Sequence, residues 1–280
     1  MQSGSAGSDG GSYRMAFFSI SLITLAAAAA AQAQPTLSPT EKWVAEYADD
    51  MCLLQRNYGT HTEPLILAFR PQPTNDHLTA WVFSPDAHNP AYVDLRAGFG
   101  GDRDVKRPMA SFFSRKLKLQ INEFSVSREE LEQAARSGAI SLYAKGRISG
   151  SFRVPELAKG LAVLDDCVAD LLASWGFSRE QQADVSEPAQ LVGPVSRYVS
   201  SFDYPMPALK EGETGDNSAR FHVYADGRTG DCKIVESSRS HSLDSAICQV
   251  VGRFRYKPAL NRSGQPMQTI GFVRIRWQLM

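Results

Sequence analysis

The chain has 280 residues, 43% of them hydrophobic, with thirty Lys and Arg balanced by thirty Asp and Glu. That length fits about two domains around ordinary cores. Zero net charge gives no bulk attraction to nucleic acid, and no nucleic-acid partner is expected.

Residues 1–14 read as a Gly/Ser-rich disordered leader, or as a misplaced start upstream of Met15. Residues 15–33 carry the marks of a secretory signal peptide. Ala16 to Ala31 is an uncharged apolar run, and Ala31-Gln32-Ala33 is a small-x-small cleavage site before Gln34. An exported chain in the periplasm follows from this reading. The alternative is an uncleaved anchor in the inner membrane facing the periplasm, for which the run is short and alanine-rich beside the ~20 apolar residues of a span.

Residues 34–190 are expected to form an α+β domain of unassigned role. Glu41 to Leu54 reads as a helix. Pro64 to Arg70, His77 to Phe83 and Ala91 to Leu95 read as short strands between Pro, Gly and Asn punctuation. Ser127-Arg128-Glu129-Glu130 is a capping box that opens a helix ending near Gly138, and Ala139 to Ala144 is a strand. From Pro155 onward Leu157, Leu161, Leu164, Val168, Leu171 and Trp175 form one helical stripe that Gly176 stops.

Residues 195–280 form a second unit. Tyr204-Pro205-Met206-Pro207 opens a short helix. Ala219, Phe221, Val223 and Ala225 alternate with Arg220, His222 and Tyr224 as in a half-buried strand. Asp226-Gly227 turns the chain into a second strand carrying Cys232, Ile234 and Val235. A helix follows from Ser242-Leu243-Asp244 to about Gly252. After Arg253-Phe254-Arg255-Tyr256-Lys257-Pro258-Ala259, a last strand alternates Val273, Ile275, Trp277 and Leu279 with Phe272, Arg274, Arg276 and Gln278. The fold class is therefore α+β in two domains, the second a small helix-strand-strand-helix-strand module.

The order of marks in that module resembles the C-terminal domain of TonB-type proteins: Tyr-Pro at entry, Asp-Gly in the hairpin, Ser-Ser then Leu-Asp before the helix, Phe-Arg-Tyr-Lys-Pro-Ala after it, and Arg-Trp-Gln-Leu at the end. The resemblance covers the last third of the chain. It implies a periplasmic adaptor that takes an extended peptide of an outer-membrane receptor, or of another envelope protein, onto an exposed sheet edge. The edge strand so implied holds Thr269, Gly271, Phe272, Arg274, Arg276 and Gln278. An edge of this kind also permits a homodimer. An energy transducer supporting transport through outer-membrane receptors is the second reading, although no long Pro-rich linker separates the two units and the apolar N-terminal run lacks a polar residue to face a motor.

Four cysteines in an exported chain point to two disulfides. Cys232 opens a strand and Cys248 lies in the helix that crosses the same sheet, so these two pair, which leaves Cys52 with Cys167. The pairing ties an early helix to a late one in the first domain. Zinc-ligand spacing is absent. No metal or cofactor is expected, and none of the G-x-S-x-G, S-x-x-K, H-E-x-x-H, C-x-x-C or P-loop patterns occurs, so an enzyme is not expected either. Gly98-Phe99-Gly100-Gly101 reads as a hairpin or loop, and His61, His77, His88, His222 and His241 read as surface, capping or structural groups.

Charge divides between the units. Residues 195–280 hold twelve Lys and Arg against eight Asp and Glu, net +4, while residues 34–194 hold seventeen against twenty-one, net −4. This complementarity favours either docking between the units or a basic sheet kept free for an acidic peptide. Arg220, Arg274 and Arg276, with Arg253, Arg255 and Lys257 nearby, either line the sheet edge or form a solvated face.

Overall fold

The computed structural model describes residues 35–48, 51–74, 77–100 and 104–279. The expected leader and signal peptide, residues 1–14 and 15–33, lie outside these. In chain order the first part runs β1 (Thr36–Leu37), β2 (Val44–Tyr47), β3 (Cys52–Asn57), β4 (Ile66–Pro71), β5 (His77–Ser84), β6 (Ala91–Gly98), β7 (Val105–Ser114), β8 (Leu119–Ser127), α1 (Arg128–Ser137), β9 (Ala139–Ala144), β10 (Ile148–Arg153) and α2 (Leu157–Ser174). The ten strands form one sheet ordered β1-β10-β9-β6-β7-β8-β5-β4-β3-β2, antiparallel except where β1 meets β10.

The helix expected over Glu41 to Leu54 is instead the hairpin β2–β3, with Val44 opposite Gln55 and Tyr47 opposite Cys52. Side chains along β3 alternate between buried and half-buried, so period-two burial of Cys52, Leu54 and Arg56 overrides the weak helical preference of the segment. The sheet curls until its two ends meet. Trp43 Nε1 and Arg56 donate to the carbonyl of Pro155 at 3.0 and 2.6 Å, and the Tyr58 hydroxyl donates to that of Arg153 at 2.9 Å.

The capping box at Ser127 and Glu130 is formed as expected, and α1 stops on Gly138 in the left-handed region at φ 79°. The α2 stripe Leu157, Leu161, Leu164 and Leu171 packs with Leu54, Phe69, Phe124 and Ile140 in the first core. Cys52 and Cys167 are bonded, with Cα atoms 6.0 Å apart. The bridge therefore clamps a strand to a helix rather than two helices. Gly98 to Gly100 leads out of β6 toward β7, which pairs with it as a hairpin.

Next come α3 (Arg179–Asp184), β11 (Val185–Glu187), β12 (Gln190–Leu191), α4 (Met206–Glu211), β13 (Gly215–Val223), β14 (Thr229–Glu236), α5 (His241–Arg253), β15 (Tyr256–Lys257), β16 (Ala259–Asn261), β17 (Pro266–Met267) and β18 (Thr269–Trp277). The segment between the two units is a strap: β11 pairs with β16 and β12 with β15. β14, β13 and β18 make a separate three-stranded antiparallel sheet. Its hairpin turns through Ala225, Asp226 and Gly227, with Gly227 at φ 77°. A Cβ there would sit 2.0 Å from the Tyr256 carbonyl oxygen, so the turn requires glycine.

Two cores result, and the described residues hold both in one contact unit. The second core gathers Phe221, Val223, Leu243, Ile247, Val250, Phe254, Ile275 and Trp277 beneath α5. Cys232 and Cys248 bridge β14 to α5, Cα atoms 5.6 Å apart, as their positions predict.

Candidate functional site

The module is held by a polar chain running through its marks. Trp277 Nε1 donates to Asn217 Oδ1 at 2.9 Å, and Asn217 Nδ2 donates to the Leu243 carbonyl at 2.9 Å and to Asp244 at 3.1 Å. Asp244 also accepts from the hydroxyls of Ser237 and Ser238 and from the Ser238 N–H, at 2.6, 2.8 and 2.9 Å. Burial works to raise the Asp244 carboxyl, but these hydrogen bonds outweigh it and hold the group below its usual range. At the entry, the Tyr204 hydroxyl donates to the Glu213 carbonyl, and the ring stands edge-on to Trp277 at 5.6 Å. Tyr-Pro, Ser-Ser, Leu-Asp and Arg-Trp thus converge on one corner of the fold.

Residues 200–279 match the family model of the Gram-negative bacterial TonB protein C-terminal. No curated protein matches the chain. The TonB C-terminal module therefore occupies the last third, and the ten-stranded unit precedes it.

Within the TonB module, β18 has a ladder neighbour on one side only, β13, paired from Gly215 opposite Trp277 to Val223 opposite Thr269. Among the described residues, no other group hydrogen-bonds the backbone of the opposite edge. Both faces of the strand are covered. Val273, Ile275 and Trp277 lie against the second core, whereas Ile270 and Phe272 pack on the first. Phe272 stacks on Trp175, ring centroids 6.3 Å apart and planes 6° apart. Gly271 is required for close packing, since a Cβ would stand 2.2 Å from the Phe221 ring.

Of the residues expected on a basic face, Arg220 and Arg276 reach the first unit, Arg274 is paired within the module, and Arg255 and Lys257 are exposed. Arg274 reaches Asp216 at 2.8 Å. Arg276 binds Asp216 at 2.9 Å and Glu123 of β8 at 2.8 Å. Burial works to raise the Asp216 carboxyl, yet its hydrogen bond to Arg276 and the charges of Arg274 and Arg276 hold it below the usual range. Arg220 lies over the Trp175 ring at 5.4 Å and donates to the Trp175 carbonyl at 3.1 Å; burial lowers its pKa. Gln278, just beyond the strand, donates to the Tyr92 hydroxyl at 3.1 Å. Arg253, by contrast, pairs with Asp203 inside the module. A second tie joins the units in the opposite sense of charge, Arg70 to Glu236 at 3.2 Å.

Of the expected edge residues, Phe272, Arg274, Arg276 and Gln278 spend their side chains on these internal contacts. What the edge offers is backbone. Thr269 to Arg274 line a cleft of about 460 Å³. Leu172 and Phe177 face it from the first unit, Val223, Phe254 and Tyr256 from the module, and Val185, Ala189 and Leu191 from the strap. Burial pushes the Tyr256 phenol up to about 12, so it stays neutral there. The Thr269 hydroxyl is buried beside the cleft with no hydrogen-bond partner among the described residues. A second cleft of about 490 Å³ flanks Arg276 to Leu279, bounded by Tyr92 and Phe112.

The walls of strap and first unit carry no sequence signal of their own. Thr269, expected on the edge strand, opens that strand as its one polar residue on the face turned to the second core. No group of three or more potential metal ligands occurs among the described residues, and no helix there is long and apolar enough to cross a membrane.

Proposed function

We propose that the chain is a periplasmic adaptor whose TonB module takes up an extended peptide from an outer-membrane receptor, or another envelope protein, by strand addition to β18. The supporting observation is the one-sided ladder of β18, whose open backbone edge lines the 460 Å³ cleft. A strand laid there pairs its N–H and C=O groups with the edge, and backbone pairing supplies affinity without demanding one sequence. The chemistry is binding rather than catalysis.

The test is titration of the isotopically labelled chain from residue 34 with extended receptor peptides, followed at the backbone amides of residues 269–279. Saturable shifts confined to β18 and the cleft walls are expected. Failure of every peptide to move those amides rejects strand addition.

The family match also supports the energy transducer, anchored in the inner membrane. Fractionation of native cells with intact-mass measurement separates the two. A soluble species beginning at Gln34 with no free thiol supports the adaptor, and a membrane-bound species retaining residues 16–31 supports the transducer.

A further inference from the structure

We infer that the turn between β7 and β8 is a membrane-docking tip: residues 115–118 seat on an anionic phospholipid surface, with Leu117 entering the headgroup layer among three cations. The inference concerns the first unit and stands independently of strand addition at β18.

Three observations carry it. The first is the apex itself. Arg115-Lys116-Leu117-Lys118 is exposed throughout, and Leu117 is 53% exposed. The turn is closed by its own bonds, the Lys118 N–H donating to the Ser114 carbonyl at 2.7 Å and the Leu117 N–H to the Ser114 hydroxyl at 3.2 Å. A closed turn therefore presents the leucine to solvent.

The second is charge. The turn of residues 145–147 stands at the same end of the ten-stranded sheet, where the Arg147 guanidinium donates to the Ser111 hydroxyl of β7 at 3.5 Å. Arg115, Lys116, Lys118, Lys145 and Arg147 thus share one end, and among the described residues none of them is in an ion pair. The adjoining turns, residues 58–65 and 85–90, add two acids, Glu63 and Asp86. Without those five cations, residues 34–194 hold twelve Lys and Arg against twenty-one Asp and Glu, net −9. An acidic unit with five unpaired cations gathered at one end is polarised toward an anionic surface.

The third is what lies behind the apex. Phe112, Ile121 and Phe83 are cross-strand neighbours on the outer face of β7, β8 and β5, half-buried and part of neither core. Leu119, on the same face, links Leu117 to this row. A soluble acidic partner gives a leucine among cations nothing to bury in, whereas a bilayer offers phosphates at the level of the cations and apolar depth beneath them.

The test is co-sedimentation of the chain from residue 34 with vesicles of phosphatidylethanolamine and phosphatidylglycerol, and with vesicles of phosphatidylcholine alone, at low and high salt. Binding to the anionic vesicles alone, weakened by salt, is expected. Leu117→Ser should lower the partition coefficient about tenfold and Lys116→Gln about fivefold. Both positions lie on an exposed turn, so unchanged thermal unfolding of the variants separates lost docking from lost folding. No partition onto the anionic vesicles, equal binding to phosphatidylcholine, or partition that neither substitution weakens overturns the inference. Salt-sensitive binding that Leu117→Ser leaves intact also overturns it, because the tip would then touch an anionic surface without entering a bilayer. So does equally tight binding of soluble poly-glutamate at the amides of residues 115–118, the signature of an acidic protein partner.

Discussion

Replacing Arg276 by methionine keeps most of the side chain's bulk but removes a guanidinium that bonds Asp216 twice and Glu123 once. These groups are 17 to 28% exposed, between a surface pair, worth under about 1 kcal/mol, and a buried one, whose breaking costs about 3–5 kcal/mol. A loss of about 2–3 kcal/mol is expected at pH 7. At roughly 2–4 °C per kcal/mol for a chain of this size, the melting temperature falls by about 4–12 °C. The pH dependence fixes the cause. The carboxyl of Asp216 is held below its ordinary pKa in the folded state, so its contribution is fully present above the unfolded value of about 3.9 and is lost as pH falls through the folded value. In Arg276→Met one of the two cations on Asp216 is gone and Arg274 alone is left to oppose burial, so its carboxyl is held down less. The gap between wild type and variant should therefore be full at pH 7 and shrink below about pH 4. Thermal unfolding followed by circular dichroism from pH 7 to pH 3, disulfides intact, reads both quantities. A gap below about 0.5 kcal/mol, or one of equal size at both pH values, refutes the assignment of a stabilising ionic network to Arg276, Asp216 and Glu123.

Three more outcomes follow from single features. Thr269→Val removes a buried hydroxyl that has no partner among the described residues, so stability should rise by about 1 kcal/mol in urea unfolding; a loss of stability would show that the hydroxyl is satisfied. Gly271→Ala drives a Cβ to within 2.2 Å of the Phe221 ring and should cost about 1–3 kcal/mol with a changed near-ultraviolet spectrum, an expectation that a neutral variant would sink. Replacing Cys52 and Cys167 with serine opens a loop of 115 residues and should cost more than the same change at Cys232 and Cys248, which closes 16, at about 5 against about 3 kcal/mol on the chain-entropy model. Equilibrium unfolding of the two double variants measures the order, and the reverse order would mean that strain or denatured-state structure dominates.

The parts that were legible in advance are those whose signals are local. Ser127 with Glu130, the strand Ala139 to Ala144, the α2 stripe and the Asp226-Gly227 turn each need only neighbours within a few positions, and all four stand as expected. Glu41 to Leu54 misled because its apolar residues fit two periods equally, and a long-range choice, pairing of β3 with β4, decided between them. The strap was invisible for another reason: β11 and β12 are three and two residues long, and so short a run shows no periodicity. At the site, the sequence placed the arginines on one face of β18 but not what that face meets. Their fate depends on Asp216 and Glu123, 60 and 153 positions from Arg276.

Packing the basic face inward changes what kind of edge β18 presents. An exposed edge is normally blunted by charge, and inward-pointing charges serve the same end. Here the charges point at carboxylates, so they fix the strand in place without guarding its backbone. With Ile270 and Phe272 on one core and Ile275 and Trp277 on the other, β18 is buried like a central strand while keeping the hydrogen-bond deficit of an edge. Those backbone groups and the Thr269 hydroxyl need partners, and within a narrow apolar cleft a few waters satisfy them less completely than a strand does. The walls are also fixed before anything binds: the strap is paired to the segment after α5, α2 is bonded to β3 through Cys52, and α5 to β14 through Cys232. On the proposed strand addition, a peptide entering such a groove carries most of the ordering cost alone, which favours short, β-prone segments over long flexible ones.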